Sequence, residues 1–130
     1  MNESTVASPM TEGIVTAPRS ETLDDLAARL TDLAIKSVVV TDDDDRPVGI
    51  LTSTDYLALV DDGADPAATT VGDRMIREVV TVRYDETIRR AARLMDRHGI
   101  GHLPVVDADG RAVGIVSSTD LTAHLARGGD

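Results

Sequence analysis

Two stretches of the chain set hydroxyls and a carboxylate at one fixed spacing. They are Gly49-Ile50-Leu51-Thr52-Ser53-Thr54-Asp55 and Gly114-Ile115-Val116-Ser117-Ser118-Thr119-Asp120. In each, an apolar run rich in β-branched residues gives way to a Ser/Thr/Asp cluster, so the polar groups fall where a strand ends and a helix begins. Side chains of these types cap helices. Unbonded backbone N–H groups at a helix start also attract anions, so a phosphate fits the same place. Both roles can coexist through different hydroxyls. Other chemistry-bearing patterns fail on spacing. Asp42-Asp43-Asp44-Asp45 and Asp107-Ala108-Asp109-Gly110 suggest calcium loops, but the twelfth positions, where a bidentate Glu is needed, are Ser53 and Ser118. His98 and His102 stand four apart, split by Gly99 and Gly101 and without the Glu of a zinc-protease helix. The chain has no cysteine, which removes disulfides, thiolate metal sites and thiol nucleophiles. No residue set for catalysis and no metal site is expected.

The two stretches belong to a longer repeat. Shifting the 130-residue chain by 65 positions aligns its halves without a gap, with about a third of positions identical. Val6 and Met10 fall on Val71 and Met75, Val15-Thr16 on Val80-Thr81, Glu21-Thr22-Leu23 on Glu86-Thr87-Ile88, and Val40-Thr41-Asp42 on Val105-Val106-Asp107. The elements repeat as well. A short helix is expected at 71–75, with Thr70 and Asp73 as a capping box, and a weaker one at 4–10, limited by Pro9. Short strands follow at 15–16 and 79–82. Leu23, Leu26, Leu30 and Leu33, then Ile88, Ala91 and Met95, recur at helical spacing. Thr22 caps the first of these helices and Gly99 ends the second. Hairpins pair 38–41 with 48–51 and 103–106 with 113–116, and closing helices run over 54–60 and 119–125. Each copy reads βαββα behind a short helix. The fold class is α+β, with two pseudo-symmetric units packed sheet to sheet. Residues 1–62 form the first unit, 63–70 a linker and 71–130 the second. A unit of this size with one apolar sheet face is marginal alone, which gives the duplication a physical reason.

Composition narrows the function. Aromatics are limited to Tyr56 and Tyr84, so Val, Ile, Leu, Ala and Met must build the core. Net charge is −10, with Lys36 the sole lysine against twelve arginines and eighteen aspartates. Such a surface repels nucleic acid. Low lysine beside excess Asp reads as adaptation to a salty cytoplasm, because at ~1 M salt a Debye length of ~3 Å screens carboxylate repulsion. No apolar run approaches the ~20 residues of a membrane span, and Met1-Asn2-Glu3-Ser4-Thr5 lacks a signal pattern. A cytoplasmic protein with no membrane partner is expected.

This tandem order resembles the cystathionine-β-synthase (CBS) domain pair, or Bateman module, of a stand-alone archaeal halophile type. The resemblance is carried by Val71-Gly72-Asp73-Arg74-Met75, by Gly101-His102-Leu103-Pro104-Val105-Val106-Asp107 and by the two Gly-Ile signatures. It is weaker at Lys36-Ser37-Val38-Val39, where Val39 replaces the usual Pro. It covers about 6–125.

The resemblance implies a regulatory ligand and no catalytic cofactor: AMP, ADP, ATP, S-adenosylmethionine or a similar adenosine derivative, held in the cleft between the two units. Asp55 and Asp120 would bind ribose hydroxyls. Thr52, Thr54, Ser117 and Thr119 would lie near ribose or phosphate. Lys36, Ser37, Gly101 and His102, with Pro104 in the same block, would reach phosphate or frame the base. Ile35 and Ile100 would pack the adenine, and Thr16 and Thr81 would neighbour the ligand. A homodimer is implied, with a regulated protein as further partner. The alternative is a structural dimerisation or scaffold module without a physiological nucleotide. An enzyme fragment is a further rival, disfavoured by the lack of catalytic groups.

Overall fold

The computed structural model describes residues 4–12, 14–30, 37–77 and 79–128, without the side chains of Thr54 and Tyr56. The chain divides into two compact units, and the division does not follow the sequence repeat. A central unit spans Val15–Val79, and a composite unit joins Met1–Ile14 to Val80–Asp130. Each repeat thus lends its leading segment to the sheet of the other.

The central unit contains β1 (Thr16–Ala17), α1 (Leu23–Leu30), β2 (Ser37–Thr41), β3 (Pro47–Thr52), α2 (Ser53–Asp62) and α3 (Val71–Arg74). The composite unit contains β4 (Val82–Arg83), α4 (Ile88–His98), β5 (His102–Val106), β6 (Ala112–Ser117) and α5 (Ser118–Ala126). Each forms a three-stranded mixed sheet, ordered β1-β2-β3 and β4-β5-β6, with a parallel first pair and an antiparallel second pair. This is the expected α+β architecture of two βαββα units. The closing helices start at Ser53 and Ser118, one residue earlier than the sequence suggested.

The cores are aliphatic, as the scarcity of aromatics requires. Val38, Val40, Leu23, Leu26, Leu51 and Val71 pack together in the central unit. Val6, Leu103, Val105, Val116, Ala91 and Met95 do so in the composite unit. The helix ends follow local chemistry. Thr22 Oγ1 accepts from Asp25 N–H at 3.2 Å, and Thr87 Oγ1 from Arg90 N–H at 3.1 Å. Gly99 closes α4 in the left-handed region at φ 64°. The Asp-rich turns are hairpin turns: Asp42 Oδ1 takes the N–H groups of Asp44 and Arg46, and Asp107 Oδ1 those of Asp109 and Arg111. These carboxylate oxygens serve their own backbone.

The leading segments differ between copies. Residues 71–74 form the expected helix, and Thr70 and Asp73 exchange both bonds of the capping box at 3.0 and 3.3 Å. Arg74 adds a two-pronged ion pair to Asp62 at 2.6 and 3.0 Å, and this guanidinium holds the Asp62 carboxyl below its usual range. Residues 6–9 form turns instead of the second expected helix. Pro9 lacks the N–H that helix continuation needs. The segment from 63 to 70 is pinned to the central unit, with Leu23 N–H on Thr69 O at 2.9 Å and Ala64 against the core.

Candidate functional site

In both units the antiparallel hairpin brings the start of the middle strand beside the end of the last one. Ser37 opens β2 opposite Thr52, the last residue of β3. His102 opens β5 opposite Ser117, the last residue of β6. No loop intervenes between strand and helix at either place. Thr52 (φ −118°) and Ser117 (φ −111°) are still extended, and α2 and α5 begin at the next residue.

The aspartate of each signature sits three residues into the turn and folds back on the strand end. Thr52 N–H donates to Asp55 Oδ2 at 2.7 Å, and Ser117 N–H to Asp120 Oδ2 at 2.8 Å. Helix capping is therefore realised, with Thr52 and Ser117 as the N-cap residues. Both helix starts carry the capping box; Ser117 Oγ accepts from Asp120 N–H at 3.0 Å, and Thr52 Oγ1 lies 3.1 Å from Asp55 Oδ2, to which it can donate. Among the described residues, Oδ1 of Asp55 and of Asp120 takes no hydrogen bond. Both carboxylates are half-buried. Each is thus oriented through one oxygen, with the other left to accept a hydroxyl proton. A hydrogen bond to a charged acceptor contributes about 1.5–3 kcal/mol.

The remaining candidates lie in different places. Gly101 joins the Asp120 cluster through its carbonyl, which accepts Ser118 N–H at 2.9 Å. His102, Ser117 and Thr119 lie at this corner, His102 half-buried and Thr119 exposed in the first turn of α5. Pro104 is buried two residues further along β5, opposite Ile115. Thr16 and Thr81 are exposed at or beside the first strands. The Thr16 carbonyl is held by Arg29 at 3.0 Å, and no described hydrogen bond links either threonine to the aspartates. Ile35 and Lys36 lie outside the described residues, and Thr54 is placed in α2 with its side chain likewise undescribed. Ile100 packs against the composite core and lines a groove of about 520 Å³ with Met95, Ser118, Leu121 and Leu125; Asp120 and His102 are not among its lining residues.

Sequence reasoning missed the seats beneath the leading segments. A Cβ on Gly114 would lie 2.9 Å from both Met10 Sδ and the Thr11 carbonyl; one on Gly49 would collide with Met75 Sδ and lie 3.1 Å from the Ile76 carbonyl. The signal was available: each glycine opens a signature, and Met10 aligns with Met75. Among the described residues, no group of three or more His, Cys, Asp and Glu could hold a metal, and no helix is long and apolar enough to cross a membrane.

A family model described as the CBS domain matches residues 4–62 and again 71–127. The chain is 34% identical over 109 residues to protein MK0525 of Methanopyrus kandleri, covering 83% of this chain and 56% of that protein. It is 31% identical over 118 residues to an L-aspartate semialdehyde sulfurtransferase of Methanosarcina acetivorans, covering 91% of this chain but 23% of the enzyme. The chain therefore spans about half, or less than a quarter, of these relatives. Among solved structures, the CBS domain pair of protein MJ0100, in complex with 5′-methylthioadenosine and S-adenosyl-L-methionine, superposes with a TM-score of 0.84 at 27% identity, covering 98% of this chain and 99% of the other. CBSX2 of Arabidopsis thaliana in complex with AMP gives a TM-score of 0.78 at 28% identity, covering 95% and 96%.

Proposed function

Since the chain belongs to the CBS-domain family, as a tandem pair of such domains, we propose that it is a non-catalytic regulatory module that senses an adenosine-containing ligand in the cytoplasm. The observation that carries this reading is the pair of pre-oriented carboxylates, Asp55 and Asp120. Each uses Oδ2 on its own strand end and leaves Oδ1 for a ligand. The ligands of the MJ0100 pair and of CBSX2 share adenosine, whose ribose offers two adjacent hydroxyl donors to such an acceptor. In the first turn of α5 the Ser118 and Asp120 N–H groups are bonded to Gly101 O and Ser117 Oγ, which leaves the Thr119 N–H for a phosphate. Ser117 Oγ already accepts a bond, so its hydroxyl proton is free to donate to the ligand. Ligand would change the module's state only through different affinity for two arrangements, and so bias a regulated partner.

The test is a thermal-shift panel of AMP, ADP, ATP, S-adenosylmethionine and NAD. A ligand that binds only the folded state raises the melting temperature as its concentration rises, by about 2.7 kcal/mol of stability at 100 times its Kd. A saturable rise with at least one adenosine compound is expected. No rise with any compound would favour the second reading, a dimerisation or scaffold module. Exposed Leu57, Val60 and Leu125 on α2 and α5 suit that reading, and they also suit a ligand-sensing homodimer.

The charge of −10 extends the proposal to a salty cytoplasm. Melting temperature is expected to rise from about 0.1 to about 1 M potassium chloride, as the Debye length falls from ~10 to ~3 Å. A fall over that range would remove the salt adaptation.

A further inference from the structure

The two leading segments dock in matched ways but are held unequally. Thr11 N–H donates to the Ile115 carbonyl at 2.8 Å, and Ile115 N–H to the Thr11 carbonyl at 3.1 Å. The central unit repeats this between Ile76 and Ile50, again at 2.8 and 3.1 Å. Val6 and Val71 are both fully buried as anchors, and Met10 and Met75 lie over Gly114 and Gly49. Segment 70–76 has further ties in its capping box and in the Arg74–Asp62 ion pair. Segment 4–11 has neither. Among the described residues its side chains make no hydrogen bond and no ion pair. It is held by its backbone bonds to Tyr84, Glu86, Ile88 and Ile115 and by the burial of Val6 and Met10.

The seat of this weaker segment is on the strand that ends in the candidate site. Gly114 and Ile115 hold the segment; Ser117, two residues on, caps α5 and is bonded to Asp120. β6 has only six residues, so Ile115 and Ser117 share one short rigid element.

We propose that segment 4–11 is a strap whose docking on β6 is linked to adenosine-ligand binding at Asp120. This rests on the proposed function. Ligand held at Ser117 and Asp120 fixes the end of β6, which strengthens the Thr11–Ile115 pairing. By reciprocity, a docked strap raises ligand affinity by the same factor. The ligand state is thereby read out at the surface that segment 4–11 covers or leaves.

Hydrogen exchange on the full chain tests this, with AMP and S-adenosylmethionine as probes and calorimetry run in parallel. Without ligand, the Thr11 amide is expected to exchange at least tenfold faster than its counterpart, Ile76. At saturating probe, exchange at Thr11 and Ile115 is expected to slow at least threefold. Met10→Ala, which removes an anchor and leaves every residue of the strand unchanged, is expected to weaken probe binding at least threefold. Binding in calorimetry with unchanged Thr11 and Ile115 exchange would overturn the linkage and leave the ligand site standing. Unaltered affinity in a folded Met10→Ala chain would overturn it too. Failure of both probes to bind would overturn the site and the strap together.

Discussion

Asp120→Asn is expected to weaken adenosine-ligand binding at least tenfold while lowering the melting temperature by only a few degrees. Asp120 Oδ2 accepts Ser117 N–H at 2.8 Å, and an asparagine amide oxygen can take that bond. What Asn loses is the free acceptor: with its amide oxygen on Ser117 N–H, it turns an NH2 group, a donor only, towards the ligand. The ribose hydroxyls then lose bonds to a charged acceptor worth about 1.5–3 kcal/mol each, and about 1.4 kcal/mol is already a factor of ten. Asp120→Ala is a poorer probe, because it also removes half of a capping box, at a cost of about 1 kcal/mol to the helix. Titration calorimetry on Asp120→Asn and Asp55→Asn in parallel separates the two positions. The position whose loss leaves affinity unchanged does not hold the ribose. If neither matters, the ribose assignment is wrong in both units.

The sequence made the elements legible because their signals are local. Period-2 valine runs, leucines at helical spacing, Thr22 before two aspartates and Gly99 after His98 each act within a turn or two of the chain. The capping box at Thr70 and Asp73 could be read for the same reason. The exchange of leading segments could not. A 65-residue repeat states which stretches are alike, and it is silent on whether Val6 fills the core beside Leu23 or beside Leu103. The seat is set by the long-range pairing of Thr11 with Ile115. In the site, the signatures located the carboxylates, but the division of labour between Oδ2 and Oδ1 depends on strand geometry at Thr52 and Ser117. Copy-specific changes were also opaque. His124 aligns with Leu59, which is buried in the central core, yet His124 Nε2 is buried with no hydrogen-bond partner among the described residues. A repeat alignment alone would assign both positions the same role.

Gly114→Val is expected to cost about 3 kcal/mol and to lower the melting temperature by about 12 °C, taking about 4 °C per kcal/mol at this chain length. The glycine's backbone needs no left-handed conformation; its requirement is space. Any Cβ would lie 2.9 Å from the Thr11 carbonyl, a backbone atom held by its own bond to Ile115 N–H and so unable to swing aside. The strap must lift, two backbone bonds are lost and Val6 leaves a site where it is fully buried. Exposing a valine side chain forfeits about 1.5–3 kcal/mol by itself. Gly49→Val is expected to act similarly but less sharply, since the nearest obstruction there is the flexible end of Met75. Gly63→Ala supplies the contrast: Gly63 has φ 72° and open space around it, so only conformational strain of about 1 kcal/mol is expected. Thermal melts of the three variants rank these causes. If Gly114→Val melts no lower than Gly63→Ala, the strap does not occupy the seat on β6. If it melts well below, the glycine-to-aspartate spacing that both signatures share has two separate physical reasons, close approach of a neighbouring segment at one end and a charged acceptor at the other.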